Sequence, residues 1–74
     1  MQMNNLNMAK IQLNGDPYKI NTGTNLNELL NRLKIQKNNI AIELNGEIVE
    51  KNKYPKIILN KDDKVEIVHF IGGG

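Results

Sequence analysis

Apolar residues recur along the chain in two rhythms. Over residues 9–13, Ile11 and Leu13 alternate with Lys10 and Gln12, the period of a strand that buries one face. Asn14-Gly15 follows, and both residue types tolerate the positive φ of a tight hairpin turn, so a second strand over 18–20 is predicted to return. Pro17 cannot donate a ladder hydrogen bond, which predicts a sheet edge for that strand or a start just after the proline. The rhythm then changes. Leu26, Leu29, Leu30 and Leu33 fall at i, i+3, i+4 and i+7, with Asn25 and Glu28 spaced as a capping box, and this predicts a helix. Asn27, Asn31, Arg32 and Lys34 lie off the leucine stripe, and Lys34 and Lys37 suit the negative end of the helix dipole.

Alternation resumes at Ile40, Ile42 and Leu44, and Asn45-Gly46 is a second hairpin signal leading to a strand over 47–49. A second helix in this region is the alternative. Residues 51–59 show no single period and contain Pro55, so they read as loop with a short turn. The polar run 60–64 reads as a turn, and 65–70 as a strand by its β-branched and aromatic content. Strands, one helix, then more strands predict an α+β domain, a small sheet with one amphipathic helix packed on one face. Residues 1–7 are polar and aperiodic and read as a disordered leader, with Met8 a second candidate start; 8–71 form the domain and 72–74 a flexible glycine tail.

Composition narrows what such a domain does. At 74 residues the chain holds one core. It has no Cys, and His69 is its only His, so neither disulfides nor a Cys/His metal site is expected to staple it. With no signal-like or membrane-spanning segment, a cytoplasmic location is expected. The net charge is +2, but Arg32 is the only Arg and the lysines are interspersed with acids; no phosphate-binding stripe results, and nucleic acid is not an expected partner.

Catalytic groups are equally sparse. The chain has neither Ser nor Cys for a nucleophile. Asp62-Asp63 and Glu43, Glu47 and Glu50 sit at turns or alternate with apolar residues, the pattern of solvated charge rather than of a catalytic pair. Gly23 stands alone, without the glycine-rich loop that cradles phosphate. Lys51, Lys53 and Lys56 near Tyr54 offer a docking surface for an acidic partner, with a solvated face the ordinary alternative.

Gly72-Gly73-Gly74 is different. Three glycines after a strand have no structural task, yet without Cβ atoms they can enter a narrow channel and leave the Gly74 carboxylate unshielded. With Ile71 they span up to about 13 Å when extended. A frayed tail or cloning remnant is the alternative. On the preceding strand, alternation from Glu66 places Val68 and Phe70 on the solvent face, so Val68, Phe70 and Ile71 are the candidate docking residues beside the tail. The opposite assignment puts Phe70 in the core and His69 outward.

The order of elements, the leucine helix and above all Val65-Glu66-Ile67-Val68-His69-Phe70-Ile71-Gly72-Gly73-Gly74 resemble the ThiS family of thiamine-pathway sulfur carriers, over about residues 8–74. The resemblance implies a ubiquitin-like β-grasp fold, in which the first and last strands are parallel neighbours at the sheet centre. It also implies a carrier with no catalytic residue, metal or bound cofactor of its own. A ubiquitin-activating-like adenylating enzyme would use ATP and Mg to turn the Gly74 carboxylate into an acyl adenylate. A persulfide donor would then supply the sulfur of a thiocarboxylate at Gly74, and thiazole synthase would receive it. By position, Gly73 and Gly74 carry over as the essential tail, and Gly72 stands where many relatives have another small residue. A carrier must expose its tail, which implies a monomer when free.

Rival readings share the fold. The small subunit of molybdopterin synthase uses the same thiocarboxylate logic, but its tails tend to carry prolines that Phe70-Ile71-Gly72 lacks. A ubiquitin-like protein modifier or tRNA-thiolation carrier would be activated in the same way. An interaction module with an idle tail is the remaining option.

Overall fold

The computed structural model describes residues 7–70. The tail 72–74, Ile71 and the leader lie outside them, except for Asn7, whose carbonyl accepts a 2.6 Å hydrogen bond from the Thr22 N–H. The elements run β1 Met8–Leu13, β2 Asp16–Asn21, α1 Leu26–Leu33, β3 Ile40–Leu44, β4 Glu47–Val49, a 3₁₀ helix Lys51–Lys56, and β5 Lys64–His69. The strands form one mixed sheet in the order β2-β1-β5-β3-β4, in which β1 and β5 are parallel and the other neighbours antiparallel. The first and last strands are thus adjacent at its centre.

Both Asn-Gly pairs make hairpin turns with two successive positive φ values, 49° and 88° at Asn14-Gly15 and 53° and 88° at Asn45-Gly46. This is the mirror-image turn whose twist matches the flanking strands. β2 is longer than its sequence pattern predicts, beginning at Asp16 and including Pro17. The register explains the tolerance. Thr22 bonds Asn7, and residue pairs across β1 and β2 sum to the same total, so Asp16, Tyr18 and Ile20 point their polar backbone groups at β1. Pro17 faces the open edge, where a missing N–H breaks no ladder bond.

In α1 the capping box is complete: Asn25 Oδ1 accepts from the Glu28 N–H at 2.8 Å, and Glu28 Oε1 accepts from the Asn25 N–H at 3.0 Å. The helix ends at Lys34, left-handed with φ 60°. The Lys34 N–H reaches the Asn31 carbonyl at 3.1 Å and the Ile35 N–H the Leu30 carbonyl at 2.9 Å, the paired bonds of a Schellman motif. Leu26, Leu29 and Leu30 are buried with Ile11, Ile20, Ile40, Ile42, Tyr54, Leu59, Val65 and Ile67. One helix face on one sheet face thus makes most of the core, as the leucine stripe and the strand alternation predict, and Tyr54 and Leu59 join it from outside both.

The segment 51–59 corrects its reading as loop with a short turn. Lys51–Lys56 is a 3₁₀ helix, and Ile58 then bridges Asn25, with the Leu26 N–H on the Ile57 carbonyl at 3.1 Å and the Leu59 N–H on the Thr24 carbonyl at 2.8 Å. A single 3₁₀ segment has three residues per turn and is too short to print a period on the sequence, and the fixed φ of Pro55 fits it. Its consequence for packing is Tyr54, which is fully buried. The Tyr54 hydroxyl lies near the Ile42 backbone but reaches no partner in hydrogen-bond geometry among the described residues.

Candidate functional site: the end of the central strand

Of the candidate site residues, Val68 lies on the last strand and Phe70 directly follows it, so the anchoring of β5 decides how these two are presented. β5 is held on both sides. Toward β3 it pairs from Leu44–Val65 to Ile40–His69, and the Phe70 N–H extends the ladder by one bond, 2.8 Å to the Asn39 carbonyl. Toward β1 the ladder is short, with only Gln12–Lys64 and Leu13–Val65 in register.

The two turn asparagines complete the grip. Asn45 Oδ1 accepts from the Lys64 N–H at 2.9 Å while its Nδ2 donates to Asp63 Oδ1 at 3.0 Å. The other Asp63 carboxylate oxygen accepts from the Asn60 N–H at 2.8 Å. Asn14 donates its N–H to the Val65 carbonyl at 2.8 Å, and its Oδ1 accepts from the Ile67 N–H at 2.7 Å. Sequence reasoning assigned both asparagines to turns alone. Their second task has no local signal, because it depends on which strand lies beside each turn.

Strand alternation puts Val65 and Ile67 in the core and Glu66, Val68 and Phe70 on the outer face of the sheet. Val68 is 49% exposed and Phe70 53%, so the assignment of Phe70 to the core fails. His69, on the opposite face at the end of the strand, is also exposed, because β5 there runs past the buried cluster. Ile71, Gly72, Gly73 and Gly74 lie outside the described residues; the described part of the site is the strand that leads to them.

The register adds neighbours that the sequence pattern did not single out. Ala41 lies opposite Val68, and Glu43 lies opposite Glu66 on one side and Ile48 on the other. Ile48 is 73% exposed. An apolar pair, Val68 and Ala41, therefore sits beside an acidic pair, Glu66 and Glu43, with Ile48 at the rim. The signal for Ile48 was present in the alternation of β4, but placing it beside Glu43 required the register. On the far side of β5 the outer face turns basic, with Lys10 opposite Lys19.

The lysine cluster of the 3₁₀ helix is only partly available as a surface. Lys51 Nζ donates to the Ile40 carbonyl at 3.0 Å, which ties the 3₁₀ helix to the start of β3; Lys53 and Lys56 are exposed. Among the described residues no group of three or more His, Cys, Asp or Glu side chains is placed to hold a metal ion, and no helix is long and apolar enough to cross a membrane.

Comparison with known proteins agrees with this architecture. A thiazole synthase of Magnetococcus marinus is 43% identical over 65 residues, covering 88% of this chain. The chain spans only 20% of that protein's length. The sulfur carrier protein ThiS of Bacillus subtilis is 39% identical over 66 residues, covering 86% of this chain and 98% of that protein. The crystal structure of the thiamine biosynthesis protein ThiS from Geobacter metallireducens superposes with a TM-score of 0.77 at 34% identity, covering 88% of this chain and 99% of that one. The five-stranded mixed sheet with one helix is accordingly the ubiquitin-like β-grasp fold. The ThiS family matches residues 11–74, and with the Bacillus subtilis carrier similar over 98% of its length, the chain belongs to the ThiS family.

Proposed function

We propose that this chain is a sulfur carrier of thiamine biosynthesis and not itself a catalyst, with the Gly74 carboxylate as the group that is modified. A carboxylate is a poor electrophile. An adenylating enzyme using ATP and Mg would join Gly74 to AMP with release of pyrophosphate, and the acyl adenylate then has a good leaving group. A persulfide on a donor protein displaces AMP, and a thiol that cleaves the resulting sulfur–sulfur bond leaves the thiocarboxylate. Thiazole synthase is the proposed recipient. ATP and Mg belong to the partner's reaction, and this chain binds no cofactor. The cytoplasm is the proposed location and a monomer the proposed free state.

The observation that carries this reading is the family match, which runs through Gly74. Two features of the fold support it. Val68 and Phe70 are exposed on the strand that leads to the tail, offering an apolar anchor for whatever acts on Gly74, with Ile71 as the next position along. The strand carrying them is clamped by Asn14 and Asn45, so the anchor is held in place before a partner arrives.

The test is intact-mass spectrometry after incubation with ATP, Mg, a cognate adenylating enzyme and a persulfide donor. The expected result is a mass gain equal to one sulfur for one oxygen, localised to the peptide ending in Gly74. Deleting Gly74 is expected to leave the melting temperature unchanged, since glycine has no side chain to bury, and to abolish adenylation. No gain with a partner set active on another carrier, or a truncated chain that is still adenylated, refutes the reading.

A further inference from the structure

The register of β5 leaves half of one of its edges open. In the β3–β5 ladder, Asn45 bonds Lys64 and Phe70 bonds Asn39, so Lys64, Glu66, Val68 and Phe70 direct their backbone groups at β3. Val65, Ile67 and His69 direct theirs the other way, toward β1. There the Val65 carbonyl and the Ile67 N–H are both taken by Asn14. β1 has ended by this point, since it pairs with β5 only through Leu13–Val65 before the chain turns back at Asn14-Gly15. The Ile67 carbonyl and the N–H and carbonyl of His69 are left in the plane of the sheet with no partner among the described residues.

The outermost strands are blunter. On β2 the outward positions are Pro17, Lys19 and Asn21; Pro17 has no donor, and the Asn21 carbonyl is occupied by the Thr24 N–H at 3.1 Å and Thr24 Oγ1 at 2.6 Å. β4 is three residues long and turns only Ile48 outward. The open half-edge of β5 also lies at the end of the strand that precedes the glycine run in the sequence.

The geometry points to a strand-addition site: an extended segment of the enzyme that activates the tail pairs alongside Ile67 to His69, donating to the Ile67 carbonyl and accepting from the His69 N–H. The proposal rests on the carrier reading above. The occupant follows from where the edge leads. His69 is five residues from Gly74, at most about 17 Å along an extended chain, so a strand held at His69 sets the line along which the tail enters an active site. The same strand exposes Val68 and Phe70 on the outer face, where an added strand with apolar residues on that side would pack beside them.

The direct readout is amide exchange at His69 in the wild-type chain, free and with a saturating adenylating enzyme that charges it. The expected result is fast exchange when free and protection of tenfold or more when bound. The variant His69→Pro removes the donor without breaking a β3 bond, as Pro17 does in β2. Relative to His69→Ala, which keeps the N–H, it is expected to raise KM for adenylation by about threefold to tenfold, the worth of one backbone hydrogen bond. Charging of Gly74 without protection of His69 overturns the edge proposal and leaves the carrier reading intact; absence of charging overturns both. Protection that appears without partner and grows with protein concentration overturns it in favour of pairing between copies. If His69→Pro fails to fold, the exchange measurement on the wild type still decides.

Discussion

The Asn14 side chain is placed to act across the fold, because its Oδ1 accepts from the part-buried Ile67 N–H, 53 residues away, at 2.7 Å. Asn14→Gly isolates this bond. Glycine keeps the left-handed φ of 49°, whereas alanine would add strain of its own. Its easier backbone and its greater unfolded-state freedom act in opposite directions, each below about 1 kcal/mol. What remains is a part-buried donor without a partner, expected to cost about 1 to 2 kcal/mol. In a domain of this size that lowers the melting temperature by about 5 to 15 °C. Urea and thermal denaturation followed by circular dichroism would measure it, with an unchanged urea slope as the sign that only stability moved. Amide exchange at Ile67 should accelerate together with the loss, and Asn14→Asp, which keeps an acceptor, should lose less. A melting temperature within about 2 °C of wild type with Ile67 still protected would refute the clamp.

Other consequences follow from burial and backbone geometry. Burial raises the Tyr54 hydroxyl above its ordinary pKa of 10.0, opposed by the nearby Ile42 backbone. Below pH 10 both folded and unfolded states keep that proton; above it the unfolded state loses it first, so stability falls by up to about 1.4 kcal/mol per pH unit until the folded group also ionises. Tyr54→Phe should remove that alkaline slope and, by deleting an unpartnered buried hydroxyl, stabilise the domain by about 1 kcal/mol at neutral pH; parallel curves for the two proteins would contradict this. Lys34→Gly, at the left-handed helix end, should raise stability by up to about 1 kcal/mol in urea denaturation, and a loss would mean the lysine side chain is itself bonded. Phe70→Ala should lower stability by less than about 1 kcal/mol, because the ring is half exposed, while weakening binding to the adenylating enzyme by about 2 kcal/mol or more in calorimetry. The reverse ranking would show that Phe70 serves the core.

Much of this fold is written in short-range signals. The Asn-Gly pairs announce both hairpins, Asn25 and Glu28 announce the start of α1, and alternation in β1, β3 and β5 separates buried from exposed residues. These signals are legible because each depends on residues only a few positions apart, whose geometry is set by backbone sterics and strand or helix period. The same period placed Val68 and Phe70 on one face.

Which strand lies beside which is another matter. Alternation says that residues share a face but not what they face, since pairing partners are chosen by the burial of the whole core. The family resemblance implied a parallel β1–β5 pair, but only the tertiary structure set its two-residue overlap, and with it the second task of Asn14 and the open edge at His69. Only packing made residues 51–56 a helix, by drawing Tyr54 into the core from a stretch with no period of its own. The sequence by itself determined most of the local elements; the long-range pairing that clamps the last strand was decided by tertiary burial, because no residue carries a record of its distant neighbours.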